Sequence, residues 1–237
     1  MSTVSGEPNI IGPSSHEAAL AVEGRFKSVC IDLSVCPKTI NRSWEVIATR
    51  YNEPHRAYHT LDHISTMLAM AYKHRNELID PNAVDLAIIY HDIVYDSGSK
   101  TNEEDSATLF LSTMSTELDK KLCDKICSYI IETKKHEVTT TQDTDLQMFI
   151  DFDMAILGTE RHLYEEYARQ IRQEYEFVPE KEYCKARANF LTTYLEQNKH
   201  GEWKAIYTTK LFKEALEKTA RGNIAWECEQ LIQGNLV

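Results

Sequence analysis

The chain has 237 residues, 42% of them hydrophobic, and 26 lysines and arginines against 37 aspartates and glutamates give a formal net charge of −11. That length suits one domain with a substantial core. An acidic chain without a basic block lacks the electrostatic footprint of a nucleic-acid binder, and no stretch approaches the roughly 18 apolar residues of a membrane span, so neither partner is expected.

The six cysteines, Cys30, Cys36, Cys123, Cys127, Cys184 and Cys228, are scattered and form no CxxC pair. They read as free thiols of a reducing compartment. With no basic region followed by an apolar stretch at the N-terminus, a cytoplasmic protein is expected.

Residues 1–14, MSTVSGEPNIIGPS, hold Gly, Pro and Ser without periodicity and are expected to form a mobile tail. One helical domain is expected over residues 15–237. Helical spacing places Trp44, Ile47, Ala48 and Tyr51 on one face, and Leu61, Ile64, Met67, Leu68 and Ala71 on another. Asp80-Pro81 supplies an N-cap and an N1 proline for a helix carrying Val84, Ala87, Ile88 and His91. Thr101 and Glu104 have the spacing of a capping box ahead of Ala107, Phe110, Leu111 and Met114.

Further helices are predicted by Leu118, Leu122, Ile126, Tyr129 and Ile130, and by Leu146, Phe149, Ile150, Asp153 and Leu157, where Gly158 suits a C′ position. Leu163/Tyr167/Ile171, Tyr183/Phe190/Leu191/Tyr194 and Leu216/Ile224/Cys228/Leu231 continue the pattern to the C-terminus. Alternating strands are not found. The fold class is all-α.

The segment AIIYHDIVYD, residues 87–96, interrupts an apolar run with adjacent His91 and Asp92. A carboxylate removed from water needs a compensating charge, and a metal ion is one. Upstream, NEPHRAYHTLDHI spaces His55, His59 and His63 by four; Pro54 disfavours helix before it, so the helix starts near Thr60, with His63 inside and His59 just before it. Downstream, DFDMAILG places Asp153 in line with Phe149, Ile150 and Leu157, while Asp151 points elsewhere.

His63, His91, Asp92 and Asp153 are thus four candidate ligands at apolar helix edges, as bundles build metal sites. Two imidazoles and two carboxylates suit an octahedral divalent ion with open positions, such as manganese, iron(II), cobalt, nickel or magnesium. Structural zinc prefers a closed thiolate-rich set; zinc with an open position stays among the candidates, as does a second ion. Each of these residues alone has a structural reading, as a hydrogen-bonded boundary histidine or a solvated acid.

The order His63, His91-Asp92, Asp153 resembles the H…HD…D signature of the HD superfamily of metal-dependent phosphohydrolases. YNEPHRAYHTLDHI, AIIYHDIVYD, NEEDSA, TKKH and DFDMAILG are similar to strings of a subfamily of predicted HD phosphohydrolases, over about residues 44–158, and ARGNIAWECEQL resembles that subfamily's C-terminal helix. The resemblance implies an all-helical bundle like that of the helical phosphodiesterases, with a metal-site core at about 44–158 and C-terminal helices over 159–237. Tyr58-His59 followed by His63 is similar to the YHN..H segment of helical cyclic-nucleotide phosphodiesterases, in which the first His protonates the leaving oxygen and the second binds metal. Thr60 stands where those enzymes carry Asn, and their glutamine-bearing purine pocket has no counterpart string.

On this reading a metal ion activates water, Asp92 both binds the ion and orients that water, and His59 or His55 protonates the leaving group. Glu103 could orient the water or a ligand histidine. Arg56, Lys134, Lys135 and His136 are the nearest cations in sequence. Arg56 reads equally as a phosphate contact or a surface salt bridge; Lys135 is a candidate substrate contact, whereas Lys134 suits a solvated surface. His136 suits a second metal site, a substrate contact or a cation at a helix C-terminus. The expected function is a phosphohydrolase acting on a small phosphate ester, with a nucleotide among the candidates. The alternatives are a metal- or ligand-binding helical module without turnover, or an interaction protein using its C-terminal helices.

Overall fold

In the computed structural model, residues 15–135, 142–197, 201 and 203–236 are described. Among the described residues ten α-helices follow one another: α1 (Ser15–Asp32), α2 (Pro37–Tyr51), α3 (Leu61–Lys73), α4 (Pro81–Tyr90), α5 (Asn102–Met114), α6 (Lys120–Glu132), α7 (Thr144–Met154), α8 (Arg161–Glu174), α9 (Glu180–Thr192) and α10 (Lys210–Ile232). Short 3-10 turns extend the chain at Arg75–Glu77, Ala155–Gly158 and Thr193–Leu195. The described residues contain no strand, only an isolated bridge between Gln197 and Trp203. The all-α expectation holds. None of the described helices is long and apolar enough to cross a membrane.

Helix α4 explains the arrangement. Residues Ala83 to Tyr90 are all buried, and a helix apolar nearly all round belongs in the middle of a bundle. Helices α1, α3, α5, α6 and α7 pack around it. Its one buried charge, Asp85, is held by Arg25 and Arg75. Farther along, α10 lies against α9 and the 3-10 turn after α7, and a single apolar cluster joins Val22 of α1 to Leu231 of α10. All six cysteines are free; Cys30, Cys123, Cys184 and Cys228 are buried within the bundle.

Local signals were met unevenly. Asp80 caps α4 by accepting from the Ala83 N–H at 3.2 Å, with Pro81 following it. The expected capping box of α5 does not form: Thr101 makes no side-chain cap bond and donates instead to Asp105 at 2.9 Å, while Glu104 pairs with Lys134 at 2.5 Å. An ammonium group within reach outcompetes the backbone N–H for the Glu104 carboxylate. Phe190, expected on the buried face of α9, is half exposed and lies edge-on to Tyr194. The N-terminal tail expected over residues 1–14 lies outside the described residues.

Gly158 also serves a different purpose from the one its position suggested. It ends the 3-10 turn and is not among the glycines of positive φ. A Cβ there would stand 2.5 Å from the Leu216 Cβ and 2.8 Å from the Tyr207 hydroxyl, so glycine is needed because α10 passes so close. Gly158→Ala is expected to destabilise the protein by about 1–3 kcal/mol through overpacking, read as a lowered midpoint of chemical unfolding. An unchanged midpoint would mean that α10 moves aside without cost.

Candidate metal centre

Three helix ends deliver the central side chains. Thr60 is the N-cap of α3, its hydroxyl accepting from the Asp62 N–H at 3.3 Å, so His63 falls in the first helical turn on the same inward side as Ile64 and Met67. His91 is the C-cap of α4. His91 keeps helical dihedrals, the chain turns with the Ile93 N–H on the Tyr90 carbonyl, and His91 and Asp92 meet with Nε2 and Oδ2 2.9 Å apart. Asp153 comes from the last turn of α7, which packs on both α3 and α4.

The result is a group that could hold a metal ion: His63, His91 and Asp153 each offer a ligand atom, all within 4.8 Å of one another. Nε2 of His63 lies 3.4 Å from Nε2 of His91 and 3.2 Å from Oδ1 of Asp153. Asp92, expected as a fourth ligand, is outside that group and borders it, its Oδ2 3.8 Å from His63 Nε2 and 4.0 Å from His59 Nε2. Its side chain is 19% exposed against 3% for His63 and 1% for His91, so Asp92 and His59 mark the side open to solvent. Asp151 turns away, as the helix spacing required, and accepts hydrogen bonds from the backbone N–H and hydroxyl groups of Thr208 and Thr209 at the start of α10.

The protonation pattern fits metal ligation. The Ile88 carbonyl can only accept, so the 2.9 Å contact with His91 Nδ1 places a proton there and leaves Nε2 as the ring atom that faces the cluster, where an ion would take the place of its proton. Burial pushes the His63 pKa down, more than the Asp153 hydrogen bond raises it. Burial opposes a charge on His91 too, but the Asp92 and Asp153 carboxylates outweigh it and push that pKa well up. For Asp92, burial would raise the pKa, and the neighbouring His91 and His59 bring it far below the usual carboxylate range. The Asp92 and Asp153 carboxylates thus draw positive charge to this point.

The sequence reading missed Glu174, the last residue of α8. Its Oε1 accepts from the backbone N–H groups of Ala57, Tyr58 and His59 at 2.8, 2.8 and 3.0 Å. Its Oε2 accepts from His59 Nδ1 at 2.7 Å and from the Tyr95 hydroxyl at 2.9 Å. A carboxylate of this kind fixes the ring: Nδ1 carries a proton and Nε2 turns toward Asp92. Burial acts to raise the Glu174 pKa, but the His59 hydrogen bond and charge, with the backbone N–H groups, hold it down to about 2. A signal existed in the sequence, because Glu174 continues the buried stripe Tyr164, Ala168 and Ile171 of α8. An acid at core spacing needs a partner.

The other expected site residues are not gathered here. His55 is exposed and its Nε2 contacts the Tyr95 carbonyl at 2.8 Å. Glu103 lies 3.9 Å from the Lys134 ammonium at the start of α5. Lys135 is exposed in the turn after α6, and His136 lies outside the described residues.

Arg56 differs most from expectation. Its side chain is buried, and its guanidinium N–H groups go to Glu53 and to the carbonyls of His59, Asp92 and Ile93. It ties the loop bearing His59 to the loop bearing Asp92, leaving no donor for a phosphate. Arg56→Lys, which cannot reproduce the fork, is expected to cost on the order of 3 kcal/mol in chemical unfolding by leaving buried carbonyls unpaired; a change under about 0.5 kcal/mol would remove this bracing role.

No protein-family model matches the chain, and no curated protein and no solved structure matches it.

Proposed function

We propose that the protein is a divalent-metal-dependent phosphohydrolase acting on a small phosphate ester. The observation carrying this reading is the placement of His59 beside a buried ligand group, held by Glu174 at Nδ1 and presenting Nε2 toward Asp92 at 4.0 Å. A merely metal-storing module has no use for an oriented proton donor at its open side. The resemblance of the H…HD…D order to HD phosphohydrolases points the same way.

When bound, a divalent ion supplies water of lowered pKa and polarises a phosphoryl oxygen. His63, His91 and Asp153 would hold it, with Asp92 as a neighbouring carboxylate able to ligate or to accept a proton from the nucleophilic water. His59, its Nδ1 on Glu174, presents Nε2 as the atom from which a proton would pass to the leaving alcohol oxygen. Glu174 keeps that ring oriented. Manganese, iron(II), cobalt, nickel, zinc and magnesium are the ions to try, the mixed nitrogen and oxygen donors favouring the octahedral ones.

The test is metal analysis of the purified protein, followed by a phosphate-ester screen with each ion after chelation and reloading. Metal-dependent release of phosphate supports the reading. A protein that binds metal but releases none from any ester would be the module without turnover.

A further inference from the structure

A cavity of about 310 Å³ opens beside the candidate metal centre, bounded by α3, by α8 and by the end of α7, and His63 and Asp153 form part of its wall. That size is at the small end of ligand sites, which run from about 300 to 1,000 Å³. A sugar- or nucleoside-sized group fits it and an oligomer does not. Met67, Met70, Phe152 and Ile156 supply an apolar wall, while Thr66 and Gln170 supply hydrogen-bonding groups.

The charges in the cavity are of one sign. Besides Asp153, its lining includes the carboxylates of Asp62 and Glu166 but no lysine or arginine among the described residues. Asp62 accepts from the hydroxyls of Ser15 and Thr60, both neutral. Glu166 has a cation, Arg169 at 2.8 Å, but this pair is half exposed and Arg169 is not part of the lining. Such exposed pairs are screened by solvent, both charges alike, so Asp153 and Asp62 carry the negative field inside the cavity.

An anionic phosphoryl group cannot settle among these carboxylates, whereas a cation held by His63, His91 and Asp153 would receive it at the cavity's edge. We infer that the cavity holds the organic half of a phosphomonoester, and that this half is sugar- or nucleoside-sized and neutral or cationic. Monophosphates of hydroxylated or aminated alcohols are then the substrate class, and esters bearing a second phosphate or a carboxylate are rejected by like-charge repulsion. This rests on the phosphohydrolase reading for the position of the phosphoryl group.

The experiment titrates the full chain, loaded with manganese, with three phosphonates on one hexose skeleton that bear at the far end a hydroxyl, an ammonium or a carboxylate. A methylene in place of the ester oxygen prevents hydrolysis, so calorimetry reads binding alone. The carboxylate ligand is expected to bind at least about tenfold more weakly than the hydroxyl ligand, and the ammonium ligand at least as tightly. In Glu166→Lys the gap between carboxylate and ammonium ligands narrows by about tenfold.

Turnover of nitrophenyl phosphate is measured in parallel. Affinities equal within about threefold, a preference for the carboxylate, or no binding of any phosphonate overturns the inference even where nitrophenyl phosphate is hydrolysed. The expected order without hydrolysis of any ester supports the ligand class and overturns the hydrolase reading.

Discussion

Alanine at His63, at His91 or at Asp153 is expected to abolish tight metal binding, and Asp151→Asn to leave it intact. The three ligand atoms lie within 4.8 Å of one another in a buried cluster, so removing one leaves an incomplete donor set around a partly desolvated charge. The loss should exceed the roughly 10–100-fold typical of changes to groups that only support a ligand. Asp92→Ala should weaken binding as well, because its Oδ2 touches His91 Nε2 at 2.9 Å.

Asp151 instead anchors the start of α10 through four hydrogen bonds. Asparagine there turns an NH2 group toward donors, so Asp151→Asn should cost about 1–3 kcal/mol of stability with metal content unchanged. Equilibrium dialysis with metal quantification, run beside chemical unfolding, separates the two effects. Metal lost in Asp151→Asn but kept in Asp153→Ala would reverse the assignment of the two acids.

His59→Ala is expected to retain metal and to lower kcat by about 10² to 10⁴ on esters with poor leaving groups. A nitrophenyl ester departs as a stable anion and should lose least. Glu174→Gln should follow the same leaving-group pattern with a smaller loss, because an amide nitrogen facing Nδ1 favours the wrong tautomer. A purely structural Glu174 would depress all substrates equally. If metal content falls together with activity in His59→Ala, His59 is a ligand and the proton-donor role fails.

Glu174 also predicts a pH signature. Its folded pKa, about 2, lies below the ordinary 4.5, so its contribution is present above about pH 4.5 and disappears as pH falls toward 2. The contribution is on the order of 3 kcal/mol. Glu174→Gln should therefore remove part of the acid-side slope of stability against pH, measured by urea unfolding at a series of pH values. An unchanged slope would mean that Glu174 titrates alike in folded and unfolded chains.

Much of this architecture was legible in the order of residues. The apolar helix spacing, Asp80-Pro81 and the start of α3 at Thr60 are local, decided by backbone geometry and by side chains within one turn of each other. So was the choice between Asp151 and Asp153, because two residues on a helix point about 200° apart and only Asp153 shares the side of Phe149 and Leu157. Tertiary packing decided the rest. The Thr101 capping box gave way to a lysine 30 residues downstream of Glu104, Gly158 answers to α10, and Arg56, read equally as a phosphate contact or a surface salt bridge, is consumed by Glu53 and by carbonyls that only the fold brings to it. Glu174 reaches His59 across 115 residues of chain. Hydrophobic periodicity reports which side of a helix faces inward; it carries no information on which distant polar group it meets there, and that meeting determines whether a buried charge braces a loop, as Arg56 does, or holds a histidine ring, as Glu174 does.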